Sequence, residues 1–266
     1  MSDSRIERQR ELMQRLERGF NAVRDSDRYR AYLDTCAKFH RYSIHNTMLI
    51  WVQRPDATRV AGFHTWRNAG RYVRKGEKGI QILAPHTARK RDDDEDDEPE
   101  TVTYFHPVHV FDVSQTEGDP LPTIADDLAG VDDAGLFAKL DAIARAEGLT
   151  IDRTPGRGNG ANGFYSGDRK LIWVKPEASP TMAAKTLTHE LAHHFAEHTR
   201  NGQCQGEQET IAESAAYIVL GHFGIDAGAY SFDYLAAWSD DKVFKAKLNE
   251  IHGVASKIIN AVEEAA

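Results

Sequence analysis

The five residues His189-Glu190-Leu191-Ala192-His193 are the most informative stretch of this 266-residue chain, because two histidines stand four positions apart with a glutamate between them. On a helix, side chains four positions apart lie on one face about one turn apart, where two imidazoles can bind one Zn²⁺. The glutamate lies beside them and can accept a proton from water. The pattern predicts a metal site with His189 and His193 as ligands and Glu190 as general base.

The flanking residues predict that this motif lies within a helix. Ser179 can cap the helix N-terminus, and Pro180 is favoured in the first turn. No glycine or proline interrupts residues 181–198, and apolar residues recur there at close to helical spacing. We expect the helix to continue to His198, with His194 and His198 as packing or surface residues.

A third protein ligand is expected, because catalytic zinc sites usually have three protein ligands and a water. The next predicted helix, residues 208–223, carries Glu209 and Glu213 on one face, and its alanines would let the two helices approach closely. The arrangement resembles that of gluzincin metallopeptidases, in which a glutamate on a following helix binds zinc and a second acid orients a histidine. The resemblance implies Glu209 as the ligand and Glu213 as the orienting acid; the reverse assignment stays open.

Peptide-bond hydrolysis is the reaction that such a site would catalyse. Zn²⁺, or another divalent ion such as Mn²⁺, would lower the pKa of its water, and Glu190 would accept the proton. The hydroxide would then attack a carbonyl of a protein or peptide substrate that the sequence does not identify. Tyr165, Tyr217 and His222 are candidate donors to the developing oxyanion.

Charge is distributed unevenly along the chain, whose net charge is −8. Residues 36–91 contain 12 Lys or Arg and 2 acids, whereas residues 92–266 contain 13 Lys or Arg and 32 acids. A basic segment in an acidic chain indicates a local anionic partner. The run at residues 92–100 contains 8 acids and predicts a solvated loop.

Aromatic residues accompany the cations of this basic segment. The combination suits single-stranded DNA, because exposed bases stack on rings while cations neutralise phosphates. The alternative is that some of these aromatic residues belong to the core, as we expect for Trp51 in its apolar helix. The candidate DNA contacts are Trp66, Arg67, Arg71, Tyr72, Arg74, Lys75 and Lys78.

Several separated motifs resemble the N-terminal domain of ArdC-type antirestriction proteins. They are Tyr42-Ser43-Ile44-His45-Asn46-Thr47, residues 54–58, Gly62-Phe63-His64-Thr65-Trp66, residues 73–79 and residues 110–118. The resemblance implies a single-stranded-DNA-binding domain found on plasmids, phages and other mobile elements. The C-terminal half resembles ImmA/IrrE-type metallopeptidases through His189, Glu190, His193 and Glu209.

These patterns predict an α+β protein of two domains. Residues 1–120 would form the DNA-binding domain with its acidic loop at residues 92–100, and residues 121–132 would form a linker. Residues 133–266 would form a zincin-like metallopeptidase domain, whose small sheet includes a hairpin at residues 164–175 with an edge strand along the cleft. No apolar run approaches the roughly 20 residues of a membrane span, and the two cysteines indicate a reducing compartment, so we expect a cytoplasmic protein.

The expected function is protection of incoming mobile DNA from restriction, by a protein that binds single strands and carries a zinc-dependent peptidase. One alternative is a non-enzymatic DNA-binding protein with a structural metal, which protects DNA by occlusion. A further alternative is a regulatory peptidase that cleaves a repressor in response to DNA.

Overall fold

The computed structural model describes residues 3–89, 101–121, 133–157, 160–198, 205–226, 235, 238 and 240–265. The predicted acidic loop at residues 92–100 and, apart from Leu121, the predicted linker lie outside these residues. The chain divides into two compact units. The first contains the described residues up to Val23 and those from His45 to Leu121, and the second contains Arg24–Ile44 and the described residues beyond the linker. The segment Arg24–Ile44 thus packs with the C-terminal residues. The sequence instead predicts two continuous domains, with this segment in the first one.

Three helices open the chain, namely α1 (Asp3–Ala22), α2 (Ser26–Lys38) and α3 (Ile44–Gln53). Helix α1 is amphipathic and buries Leu12 and Phe20 in the first unit. Helix α2 begins after Asp25, whose carboxylate accepts hydrogen bonds from the first-turn amides, and belongs to the second unit. Helix α3 is apolar and ends before Pro55, which cannot continue a helix.

The first unit continues with short strands around a long hairpin. Its elements are β1 (Val60–Gly62), α4 (Phe63–Asn68), β2 (Arg71–Val73), β3 (Ile80–Arg89), β4 (Thr101–Asp112), a 3-10 turn (Val113–Gln115) and β5 (Thr116–Gly118). Strands β1, β4 and β3 form one antiparallel sheet in that order, and β2 pairs with β5. The β3–β4 register runs from Ile80 opposite Val110 to Arg89 opposite Thr101, so the sheet spans the acidic segment as expected.

Asp112 ties the end of β4 to the loop before β1. Its carboxylate is buried and accepts hydrogen bonds from the backbone amides of Thr58 at 2.8 Å, Arg59 at 3.0 Å and Ser114 at 2.9 Å. Burial alone would raise the pKa of Asp112, but these hydrogen bonds lower it below its ordinary value. The carboxylate thus accepts hydrogen bonds from three backbone amides that do not pair with a neighbouring strand.

The second unit adds a small mixed sheet and four helices to α2. Its further elements are α5 (Asp133–Ala146), β6 (Thr150–Asp152), β7 (Gly163–Ser166), β8 (Leu171–Val174), α6 (Pro180–Phe195), α7 (Gln205–His222) and α8 (Asp241–Glu264). The sheet order is β6-β8-β7, with β6 parallel and β7 antiparallel to β8. The β7–β8 pair is the hairpin expected from the sequence, and β7 is an edge strand.

Helix α7 lies at the centre of the second unit, in contact with α2, α6 and α8. Small buried residues on α7, including Ala212 and Ala216, permit this close approach. Helix α2 contributes Tyr29, whose hydroxyl lies 2.8 Å from the hydroxyl of Ser214, along with other fully buried side chains. Among the residues that the structure describes, no helix combines the length and hydrophobicity that a bilayer crossing needs. The architecture is the expected two-domain α+β fold.

Candidate metal centre

Helix α6 holds the His-Glu-x-x-His motif at its centre. The Ser179 hydroxyl caps its N-terminus by accepting a hydrogen bond from the Met182 amide at 3.3 Å, and Pro180 occupies the first turn. The helix ends at Phe195, three residues before the expected end at His198. Glu197 then adopts a left-handed conformation, with φ of 53°, and the His198 amide donates to the His193 carbonyl at 3.2 Å.

Three ligand-type side chains converge beside the motif. The Nε2 atoms of His189 and His193 lie 3.0 Å apart. The Glu209 carboxylate, from α7, places one oxygen 3.2 Å from His189 Nε2 and the other 3.6 Å from His193 Nε2. One ligand atom from each residue lies within 4.8 Å of the others. Two nitrogens and a carboxylate at these distances form a set that can hold one divalent ion.

His198 contacts His193 from the side opposite to this set. Their Nδ1 atoms lie 2.7 Å apart, so one of the two nitrogens carries the shared hydrogen. Burial, and then the charge of His193, lower the pKa of His198 to about 3, which keeps its ring neutral. With His193 as the donor, the lone pair of His193 Nε2 is directed toward His189 and Glu209. His198 thus contacts a candidate ligand, whereas its sequence spacing predicted a packing or surface residue.

The two candidate carboxylates of α7 occupy different positions. Glu209 faces both histidines, whereas half-buried Glu213 acts on His189 through its charge. Burial would lower the pKa of His189, but the hydrogen bond to Glu209 and the charges of the neighbouring glutamates raise it. The histidines in turn lower the pKa of Glu209 far below its ordinary value. The geometry favours Glu209 as the third ligand.

Glu190 lies in a nearly closed environment between α6 and the edge strand β7. Its side chain is buried, and the backbone amide of Tyr165 donates a hydrogen bond to it. Burial raises its pKa, against the lowering influence of the two motif histidines. The strand approaches so closely that a Cβ at Gly163 would lie 2.3 Å from Thr186 Cγ2 and 3.4 Å from Glu190 Oε1. A carboxyl with a raised pKa beside a metal-type ligand set is suited to proton transfer.

The three candidate oxyanion donors lie in different places. The backbone amide of Tyr165 contacts Glu190, while its hydroxyl lies 3.1 Å from Nδ1 of His194. The Tyr217 hydroxyl donates a hydrogen bond to Asp34 at 2.8 Å, and His222 lies beside Glu263. Tyr165 is thus the candidate that the structure brings to the motif.

Two of the predicted DNA contacts have structural roles in the first unit. Trp66 is 3 % exposed, and its Nε1–H donates a hydrogen bond to the Phe111 carbonyl at 2.8 Å, so its ring cannot stack on a base. This corrects the expectation for Trp66, whose ring fills the space between α4 and the sheet. Arg71 donates hydrogen bonds to the hydroxyl and the carbonyl of Thr116 and thereby joins β2 to β5.

The other predicted DNA contacts are exposed. Arg74 is partly engaged, because its guanidinium lies 3.0 Å from the Glu77 carboxylate and also donates to the Ser114 carbonyl. Tyr72 is 56 % exposed on the short strand β2. Arg67, Lys75 and Lys78 are exposed and, within the described ranges, form no ion pair. One aromatic ring and three cations therefore face solvent near β2.

Family models match both halves of the chain. Residues 3–111 match the model described as the N-terminal domain of anti-restriction factor ArdC. Residues 146–260 match the peptidase M78 model, described as the IrrE N-terminal-like domain, which includes the whole metal-type ligand set. The two matches correspond to the two resemblances that the sequence motifs indicated.

Similar proteins are known among curated sequences and solved structures. An uncharacterized protein from Bacillus anthracis is 25 % identical over 86 % of this chain, and the chain spans about half (46 %) of that relative's length. The metal-free crystal structure of the antirestriction ArdC protein from plasmid R388 has a TM-score of 0.55 and 20 % identity, and covers 84 % of this chain and 86 % of its own. The Mn(II)-bound structure of that protein gives a TM-score of 0.48 and 21 % identity over 83 % and 85 % of the two chains.

Proposed function

Because this chain is an ArdC-type protein, we propose that it protects incoming DNA from restriction, with a first unit that binds single-stranded DNA and a second unit that is a metal-dependent peptidase. The observation that carries the enzymatic part is the convergence of His189, His193 and Glu209 around one point next to Glu190. Neither half alone would explain both the basic segment and the buried glutamate.

The donor set fits a divalent ion. Two neutral imidazole nitrogens and one carboxylate are the ligands of many catalytic zinc sites, which keep a fourth position for water or substrate. Glu209 is also partly exposed, so a substrate could approach from its side. Zn²⁺ is the ion we propose, with Mn²⁺ as the alternative of similar charge. When bound, such an ion acidifies water and polarises a carbonyl group.

The chain's own residues supply proton transfer and positioning. Glu190 would accept a proton from the attacking water and donate it to the leaving amine, which its raised pKa favours. His198 holds the ring of His193, and β7 closes one side of the centre. Tyr165 is the residue we propose as donor to the oxyanion.

An extended substrate peptide could pair with the edge strand β7. In the described part of the sheet β7 is the edge strand, with β8 on one side only, and the Tyr165 amide of β7 donates to Glu190. Adding a strand to an exposed edge is a common way to bind peptides. The interaction would use backbone groups, so it would permit many substrate sequences.

The first unit would bind single-stranded DNA through the exposed residues near β2. Tyr72 offers a ring for stacking, while Arg67, Lys75 and Lys78 offer charges for phosphates. Each neutralised phosphate should contribute to the salt dependence, with a slope near −0.7 per contact for single strands. Loss of about 1.4 units of slope in a Lys75→Ala, Lys78→Ala double variant would support this surface.

The Glu190→Gln variant tests the peptidase, because glutamine keeps the size of glutamate but cannot accept the proton. We expect the variant to bind one Zn²⁺ at this centre, to keep its affinity for single-stranded DNA, and to lose cleavage by about 10²- to 10⁴-fold. Cleavage is measured on a mixed peptide library by mass spectrometry. Glu197→Gln, an exposed glutamate after the same helix, is the matched control and should cleave normally.

Restriction assays separate enzymatic protection from occlusion. A His189→Ala, His193→Ala variant that folds should no longer protect DNA if protection needs the metal centre. Full protection by this variant would instead identify occlusion by the DNA-binding unit. Cleavage that requires added single strands would favour the regulatory peptidase.

A further inference from the structure

A second cluster of metal-type ligands lies in the C-terminal unit. His40 comes from the turn after α2, His222 is the last residue of α7, and Glu263 lies near the end of α8. One ligand atom from each lies within 4.8 Å of the others. His222 Nε2 lies 3.1 Å from one Glu263 oxygen and His40 Nε2 lies 3.7 Å from the other. Three segments far apart in the sequence thus bring two nitrogens and a carboxylate together.

The hydrogen bonding of His222 leaves a lone pair or a charge facing Glu263. Its Nδ1 lies 2.9 Å from the Ala37 carbonyl, and because a carbonyl oxygen only accepts, Nδ1 carries the hydrogen. In the neutral ring, Nε2 therefore presents a lone pair to a carboxylate oxygen, which is also an acceptor. Two acceptors at this distance require a cation between them, either a proton or a metal ion.

His40 is buried with no hydrogen-bond partner for its ring. Its side chain is 6 % exposed, and neither ring nitrogen forms a hydrogen bond within the described residues. Its Nε2 lies 3.7 Å from a Glu263 oxygen, in a position to present a lone pair to an ion. A buried polar atom without a partner is destabilising, and metal coordination would remove this cost.

We propose that His40, His222 and Glu263 form a second divalent-metal site, which takes Zn²⁺ or an ion of similar ligand preference. Ligand atoms placed tetrahedrally at zinc distances are about 3.3 Å apart, and the observed separations of 3.1 and 3.7 Å lie on either side of this value. Arg41 lies 2.8 Å from the Glu263 carboxylate and would orient it from outside, much as outer partners fix ligands in known sites. Water would complete the coordination.

The site would join the segment Arg24–Ile44 to the two helices against which it packs. His40 is supplied by that segment, while α7 and α8 supply the other ligands. The ion would therefore stabilise the second unit rather than carry out hydrolysis. This role is independent of the peptidase proposed above, so either proposal can fail without the other.

The test uses the full-length His189→Ala, His193→Ala variant, which removes the first metal centre. After chelation, addition of Zn²⁺ and desalting, we expect one zinc per chain and a higher thermal midpoint than in the metal-free protein. His40→Phe in this background should reduce the bound zinc to none and abolish the shift, because phenylalanine fills the site without a ligand. The matched control is His252→Phe, which removes another buried histidine whose Nε2 has no partner in the described structure. This control should retain the zinc.

The proposal is overturned if the folded background variant binds no zinc, or if His40→Phe retains it. If the background variant does not fold, the wild-type chain and His40→Phe alone are titrated with Co²⁺ instead. The absorption spectrum of the bound Co²⁺ reports how many equivalents bind. Two equivalents in the wild type and one in His40→Phe alone support the second site. One equivalent in both refutes it.

Discussion

The Nδ1 atoms of His193 and His198 lie 2.7 Å apart, and this contact fixes the ring of a candidate metal ligand from behind. His198 lies just after the end of α6 at Phe195 and follows Glu197, whose φ is positive. The contact gives the candidate metal centre an outer partner. Its loss should therefore weaken metal binding without removing a ligand.

Replacing His198 with leucine should reduce zinc affinity by about 10- to 100-fold, the usual effect of losing an outer partner of a ligating histidine. His198→Asn should be less affected, because its side-chain oxygen can accept the same hydrogen bond. Competition with a chromophoric chelator measures the affinities. The control is His194→Leu, whose ring contacts Tyr165 rather than a ligand. Equal affinities for His198→Leu and the wild type would show that the contact has no such role.

Gly163→Ala should separate β7 from α6. The new Cβ would lie 2.3 Å from Thr186 Cγ2 and 2.9 Å from the Trp173 carbonyl, so the strand must shift. We expect a loss of about 1–3 kcal/mol in the free energy of unfolding, measured with urea, and a fall in peptide cleavage.

Adding Thr186→Ser, which deletes Cγ2, should restore only part of the stability lost in Gly163→Ala, because the Trp173 contact remains. Gly253→Ala on the exposed side of α8 is the matched control, since no atom lies within 4 Å of the new Cβ. It should be neutral or stabilising by up to about 1 kcal/mol. A Gly163→Ala protein as stable as the wild type would disprove the close approach.

Asp112 should make the first unit more stable at neutral than at acid pH. Because its pKa is lower in the folded protein than its ordinary 3.8, its contribution is complete above that value and is lost as the pH falls through the folded-state pKa. Asp112→Asn should lose about 1–3 kcal/mol at pH 7, because the amide is a weaker acceptor and its NH₂ opposes the surrounding donors. Urea unfolding at pH 7 and pH 3 should show a smaller difference between variant and wild type at pH 3. A constant difference would contradict the assignment.

Substitution of Trp66 should lower stability, whereas substitution of Tyr72 should lower the affinity for single-stranded DNA. Trp66→Phe removes the hydrogen bond to the Phe111 carbonyl and leaves this acceptor unsatisfied, so it should cost about 1–3 kcal/mol of stability. Tyr72→Ala should leave stability unchanged but weaken single-stranded DNA binding by roughly five- to 150-fold, the equivalent of one lost stacking contact. Fluorescence anisotropy with a labelled oligonucleotide, beside urea unfolding, measures both properties. Unaltered affinity in Tyr72→Ala would exclude the proposed stacking.

The local elements of this fold could be predicted because their signals are local. Helix α3 is the apolar helix expected around Trp51, since a block of apolar residues ends just before Pro55. The β7–β8 hairpin and the position of the motif within α6 follow from turn residues and helical spacing in the same way. The proximity of Glu209 to the histidines was inferred from a family pattern rather than from spacing.

Features that depend on distant contacts could not be predicted. The membership of α2 in the second unit depends on partners such as Ser214, which lies 185 positions after Tyr29. His198 was placed on a continuing helix, because no glycine or proline marks the positive φ at Glu197, a residue type that rarely adopts a left-handed conformation. The further histidine at position 198, shortly after the motif, was the available signal. The burial of Trp66 could not be predicted either, since an aromatic residue beside cations in the sequence can stack on a base or belong to the core.

The division of the chain also has a consequence for its synthesis. Helix α2 is synthesised before α7, and the Ser214 residue whose hydroxyl meets Tyr29 is made 185 residues later. At about 5–20 residues per second, this helix waits roughly 10–40 s for its partner, with Tyr32 and Leu33 exposed until then. These apolar side chains therefore stay without their partner helix until translation has passed α7.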